Sequence, residues 1–106
     1  MPKYLAQVKY VGDGVKGLLK EGGTSRRAVV EKLFESLGGR IEAFYYAFGD
    51  TVLFIIGEFP DNASEAAAAL TAVAGGGVTV TTTVLMSPEE LDEAAKKTPI
   101  YRPPGQ

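Results

Sequence analysis

The chain contains no cysteine, no histidine and no tryptophan. Without cysteine it forms no disulfide, offers no thiolate to a metal and has no thiol nucleophile. Without histidine it lacks the commonest general base near neutral pH and the commonest ligand for zinc and copper. Ser-His-Asp and Cys-His machinery is therefore excluded. No apolar run, Val52 to Ile56 included, approaches the roughly 20 residues a membrane-spanning helix needs. Charge of one sign is also missing: 11 basic residues face 13 acidic ones, for a net charge of −2. Nucleic-acid binders carry a clustered basic face, so neither nucleic acid nor membrane is expected as a partner. Neither a metal nor a cofactor is expected. The start Met1-Pro2-Lys3-Tyr4 runs straight into a strand-like segment, and with the missing cysteine this suggests a cytoplasmic setting.

What remains is ordinary for a globular domain: 106 residues, 45% hydrophobic and 23% charged, enough for a single core. Tyr4, Ala6, Val8 and Tyr10 alternate with Gln7 and Lys9 and predict a first strand. Gly12-Asp13-Gly14 breaks it, and Val15 to Glu21 reads as a short helical turn ended by Gly22-Gly23. Thr24 or Ser25 then offers an N-cap. Val30, Leu33, Phe34 and Leu37 follow at helical spacing up to Gly38-Gly39. Arg40 to Phe48 and Thr51 to Phe59 predict two strands joined by a tight Gly49-Asp50 turn. Asn62 with Glu65 resembles a capping box for an alanine-rich helix that stops at Gly75-Gly76-Gly77. Val78 to Met86 predicts a fourth strand. Ser87-Pro88-Glu89-Glu90 opens a last helix reaching about Lys97, and the proline-rich residues 98–106 form a tail distinct from a domain spanning residues 1–97.

The order β-α-β-β-α-β is the ferredoxin-like α+β pattern, an antiparallel sheet with helices on one face. Simple alternation puts Ile41, Ala43, Tyr45 and Ala47 on one face of the second strand and Phe44, Tyr46 and Phe48 on the other. Leu53 and Ile55 lie opposite Val52, Phe54 and Ile56 on the third. Both faces of the hairpin then read as apolar, and an exposed patch of that kind calls for a cover. A second copy of the chain, packed sheet against sheet, is the expected one.

A resemblance extends along nearly the whole chain. Leu18-Leu19-Lys20-Glu21-Gly22-Gly23, Arg26-Arg27, Glu35-Ser36-Leu37-Gly38-Gly39, Ala43-Phe44-Tyr45, Phe48-Gly49-Asp50, Pro60-Asp61-Asn62 and Tyr101-Arg102-Pro103-Pro104-Gly105 occur in the order seen in the GYD-domain family. These are small prokaryotic proteins without assigned catalytic residues. One position departs: where the family places an aspartate shortly after its Phe-Gly turn, this chain has Val52, with Asp50 close by. The resemblance implies a dimeric α/β-barrel-like assembly. It fixes no activity, because that superfamily holds oxygenases, isomerases and stress-response proteins alike.

Several residues could carry chemistry. Arg26 and Arg27 at the start of the main helix could bind a carboxylate or phosphate, or serve as surface ion-pair partners. Tyr4, Tyr10, Tyr45 and Tyr46 could line a cavity or simply pack. Glu42, Asp50 and Glu58 beside the hairpin lack metal-loop spacing and read as solvated edge charges. The ligand-binding candidates are thus Arg26, Arg27, Tyr45, Tyr46 and Asp50. The candidates for an oligomer interface are Phe44, Phe48, Phe54 and, in a tail that could clasp a neighbour, Tyr101 and Arg102. Three readings of function stay open: a homo-oligomeric small-molecule-binding or accessory protein; a cofactor-independent oxygenase or isomerase for an aromatic or polyketide-like substrate; and a ligand-sensing regulatory domain.

Overall fold

A computed structural model describes residues 1–106. Four strands, β1 (Lys3–Tyr10), β2 (Arg40–Tyr46), β3 (Leu53–Glu58) and β4 (Val78–Leu85), form one sheet in the order β2-β3-β1-β4. Every neighbouring pair is antiparallel. Between them run α1 (Asp13–Glu21), α2 (Gly23–Ser36) and α3 (Asn62–Ala74), and α4 (Pro88–Ala95) follows β4. None of these helices is long and apolar enough to cross a membrane.

The core lies between the sheet and helices α2 and α3. Its buried members are Tyr4 and Val8 of β1, Phe34 of α2, Leu53 and Ile55 of β3, Phe59 and Ala68. Phe34 and Phe59 stack with ring centroids 4.4 Å apart. Burying each such side chain stabilises the fold by about 1.5–3 kcal/mol. The Tyr4 hydroxyl reaches the surface end of this layer and donates to Asn62 Oδ1 at 2.5 Å, tying β1 to α3.

The expected barrel-like, sheet-to-sheet arrangement is not what the chain adopts. The sheet is open, with β2 and β4 as its two edges. Closing a sheet needs a continuous ring of paired strands, about eight for a side-chain-filled interior, and this sheet has half that number.

The face assignment of the hairpin also changes. The β2–β3 register shifts between Ile41 and Ala43. A bulge there reverses the alternation, so Ile41, Phe44 and Tyr46 all share the helix-facing side with Ile55 and Leu53. The outer face of the sheet keeps Ala43, Tyr45, Phe54, Ile56 and Leu5, flanked by Gln7, Lys9, Thr79, Thr81 and Thr83. Lys3 and Glu42 pair at 2.7 Å, and Arg40 pairs with Glu58.

Other boundaries move for local reasons. The strands stop at Tyr46 and start again at Leu53, leaving a longer link in place of a two-residue turn. Ala47 N–H still donates to Val52 at 2.7 Å, while Val52 N–H turns to Val8 of β1 at 3.0 Å. The main helix begins at Gly23 with Gly22 as its cap, so Thr24 and Ser25 lie inside it. Gly22 has φ 86°, a left-handed conformation that only glycine adopts without strain, and there the chain breaks between α1 and α2. Asp61, not Asn62, caps α3, accepting from Ser64 N–H at 2.8 Å. The capping box of α4 is present as read, with Ser87 and Glu90 exchanging bonds at 3.1 Å, although the helix stops at Ala95.

Candidate functional site

The sheet-facing stripe of α3 is Glu65, Ala68, Ala69 and Ala72, at helical spacing. Three of its members have only a methyl group, so α3 fills little of the space above β1 and β4. A chamber of about 80 Å³ remains, walled by those residues, by Val30, Leu33 and Phe34 of α2, and by Val8, Leu53 and Val80 of the sheet, among others. Only Arg26 and Glu65 bring charge to it.

A second space adjoins the chamber on its α1 side. This vestibule of about 350 Å³ is lined by Gly14, Gly17, Leu18 and Glu21 of α1 and by Gly75 and Gly77 after α3. Tyr10, Arg26, Ala72 and Val78 line both spaces, so the two lie side by side. A separate recess of about 240 Å³ lies beside it, lined by Gly23, Thr24, Arg27, Phe44 and Tyr46.

Arg26 stands at the junction. Its side chain is 30% exposed, and its Nη1 lies 3.6 Å from Glu21 Oε2, too far for a good hydrogen bond. Glu65 is engaged elsewhere, accepting from Thr82 Oγ1 at 2.8 Å. Tyr46 donates to the Gly23 carbonyl at 3.1 Å, closing the wall where α1 meets α2. Burial, reinforced by the neighbouring Tyr10 phenol, pushes the Tyr46 hydroxyl up to about 12, with Arg26 and Arg27 pulling the other way. Tyr46 therefore stays protonated at neutral pH and acts there as a hydrogen-bond donor.

Of the residues singled out from sequence, Arg26, Arg27 and Tyr46 come together around the α1–α2 junction. Tyr45 and Asp50 do not join them. Tyr45 points from the outer face of the sheet, 72% exposed, and Asp50 lies exposed in the hairpin link. The interface candidates occupy different settings. Phe44 packs on the helix-facing side against the core, Phe54 is on the outer face, Phe48 is fully exposed at the hairpin tip, and Tyr101 and Arg102 are exposed in the tail. Glu42 and Glu58 pair with Lys3 and Arg40 and do not converge with Asp50. Glu21 and Glu65 were not recognised as site residues. The signal for Glu65 was its place on the alanine stripe; it reads as a capping partner only if Asn62 is taken as the cap.

No curated protein matches the chain. The family model for the GYD domain matches residues 4–95, which takes in α1 to α4 and, but for Lys3, every strand. The chain belongs to the GYD-domain family.

Proposed function

We propose that this protein binds a small organic molecule in the cleft between α1, α2, α3 and the sheet. The observation that carries the reading is an apolar chamber adjoined by a larger vestibule, the two sharing Tyr10, Arg26, Ala72 and Val78 as wall residues. Protein interiors are normally packed to the density of organic crystals, and ligand sites are apolar clefts of about 300–1,000 Å³ with a few polar groups at defined points. The vestibule reaches that range and the chamber adjoins it. The polar groups favour binding over acid–base catalysis. Arg26 cannot act as a base, Glu21 faces its guanidinium, and Glu65 is held by Thr82.

The test is an amide chemical-shift screen of the labelled protein against a library of small fragments, repeated with Ala72→Leu. Binding should shift Tyr10, Arg26, Ala72 and Val78, and the leucine, filling the shared wall, should abolish it while leaving the fold intact. A screen in which no fragment perturbs these residues refutes the reading.

Self-association is a second reading, favoured by the molecular surface. The accessible area is 7511 Å², whereas a compact chain of this mass exposes about 5,700 Å². The radius of gyration is 16.9 Å, against about 13 Å for a compact domain of this length. Every residue from Pro88 to Gln106 is exposed, including Leu91, Ile100 and Tyr101. Isolated helices shorter than about 12–15 residues are marginal in water, so α4, despite its capping box, gains from a surface to rest on. A second copy supplies one, and the excess area of the single chain is about twice the roughly 800 Å² that each partner buries in a standard interface. Sedimentation of the full chain and of one ending at Ser87 tests this: a dimer that becomes a monomer on truncation supports it, and a monomeric full chain at high micromolar concentration refutes it.

A further inference from the structure

We infer that the cleft selects a monocarboxylate with a short apolar tail, the carboxylate held by Arg26 and the tail in the chamber beneath it. The inference rests on the reading of the cleft as a small-molecule site and names the chemistry it recognises.

Three observations lead there. First, Arg26 is the one cation lining either the chamber or the vestibule, and its side chain is mostly withdrawn from water. A partly desolvated guanidinium gains more from an anion than an exposed one does. Second, its present partner is a poor one. Arg26 meets Glu21 through a single 3.6 Å approach, and the Glu21 side chain is 47% exposed. A ligand carboxylate can instead take two parallel N–H···O bonds at about 2.7–2.9 Å, using donors that Glu21 leaves free. Displaced, Glu21 returns to water from an exposed position.

Third, charge and volume limit the ligand. With Glu21 in the vestibule wall and Glu65 in the chamber wall, two carboxylates accompany the one cation, so a singly charged head group on Arg26 meets less repulsion than a phosphate dianion. The chamber, at about 80 Å³, is roughly half the size of the engineered apolar cavity of about 150 Å³ that accepts benzene. It takes a few methylene groups and excludes an aromatic ring, which stays in the vestibule. Walls of Val30, Leu33, Ala68 and Ala69 offer such a tail no hydrogen-bonding partner.

The experiment is a chemical-shift titration at neutral pH with straight-chain carboxylates from propanoate to octanoate and with the primary alcohols of equal length. The expected result is at least tenfold tighter binding of the carboxylate at each length, an optimum among the shorter chains, and shifts at Arg26, Val30 and Ala72. Arg26→Gln should erase the preference for the acid over the alcohol of equal length, and Glu21→Gln should tighten carboxylate binding. Equal affinity for acid and alcohol in the unaltered protein, or weaker acid binding in Glu21→Gln, overturns the anion assignment but leaves the cleft as a binding site. Failure of both series to bind overturns this inference, and the fragment screen then decides the fate of the broader reading independently.

Discussion

Gly57→Ala sets two effects of opposite sign against each other. Gly57 is a buried residue of β3 whose backbone is not in the left-handed region. By the chain-entropy argument, alanine there would stabilise the protein by about 0.4–1 kcal/mol. The structure reverses the sign. A Cβ at Gly57 would overlap the Phe34 ring and lie 3.0 Å from the Arg40 carbonyl. Phe34 stacks on Phe59 and cannot withdraw without loosening that pair. Overpacking of a tight core costs about 1–3 kcal/mol, so the net effect is destabilising by about 1–2 kcal/mol. For a domain of this size that lowers the melting temperature by about 5–15 °C. Urea unfolding followed by circular dichroism should show a lower midpoint with an unchanged slope. Phe34→Leu, which removes the ring, should absorb much of the added penalty, giving a coupling of about 1 kcal/mol in the double-mutant cycle. A neutral or stabilising Gly57→Ala, or strict additivity with Phe34→Leu, refutes the reasoning. Phe34 also lines the chamber, the open space nearest the displaced ring, so the same substitution should weaken ligand binding in the cleft.

Further expectations follow from single contacts. Hydrogen bonding to Ser64, through its hydroxyl and its backbone N–H, holds the Asp61 carboxyl below its usual 3.8. That contribution is complete above 3.8 and is lost as pH falls through the lower folded value, so acid unfolding should be less steep in Asp61→Ala. The same variant should melt on the order of 5 °C lower at neutral pH for want of its cap. Tyr4→Phe removes the bond to Asn62 and should cost about 0.5–1.5 kcal/mol in urea unfolding. Because the Tyr46 hydroxyl is raised from 10 to about 12, its stabilising effect is complete below 10 and disappears as pH rises through about 12. Tyr46→Phe should flatten the loss of stability over that interval, and an unchanged alkaline profile would contradict the burial assigned to it.

The pattern of residues specified the element order and much of the core. Tyr4, Val8, Phe34, Leu53 and Ile55 announce their inward direction through spacing, because hydrophobic periodicity of 2 or 3.6 follows from backbone geometry alone. The helix at Ser87 was equally plain, since its cap is a contact within one turn. Tertiary structure decided what spacing leaves open. A bulge at Ile41/Ala43 turned Phe44 and Tyr46 toward the helices, and alternation cannot reveal a residue that breaks it. Arg26 and Glu21 face each other across the Gly22 break between α1 and α2, and Glu65 shares a chamber wall with Arg26 only when α2 and α3 pack on one sheet. The cleft itself exists because alanines face β1 and β4 across α3, and a void is a property of the gap between elements, which no single stretch of chain encodes.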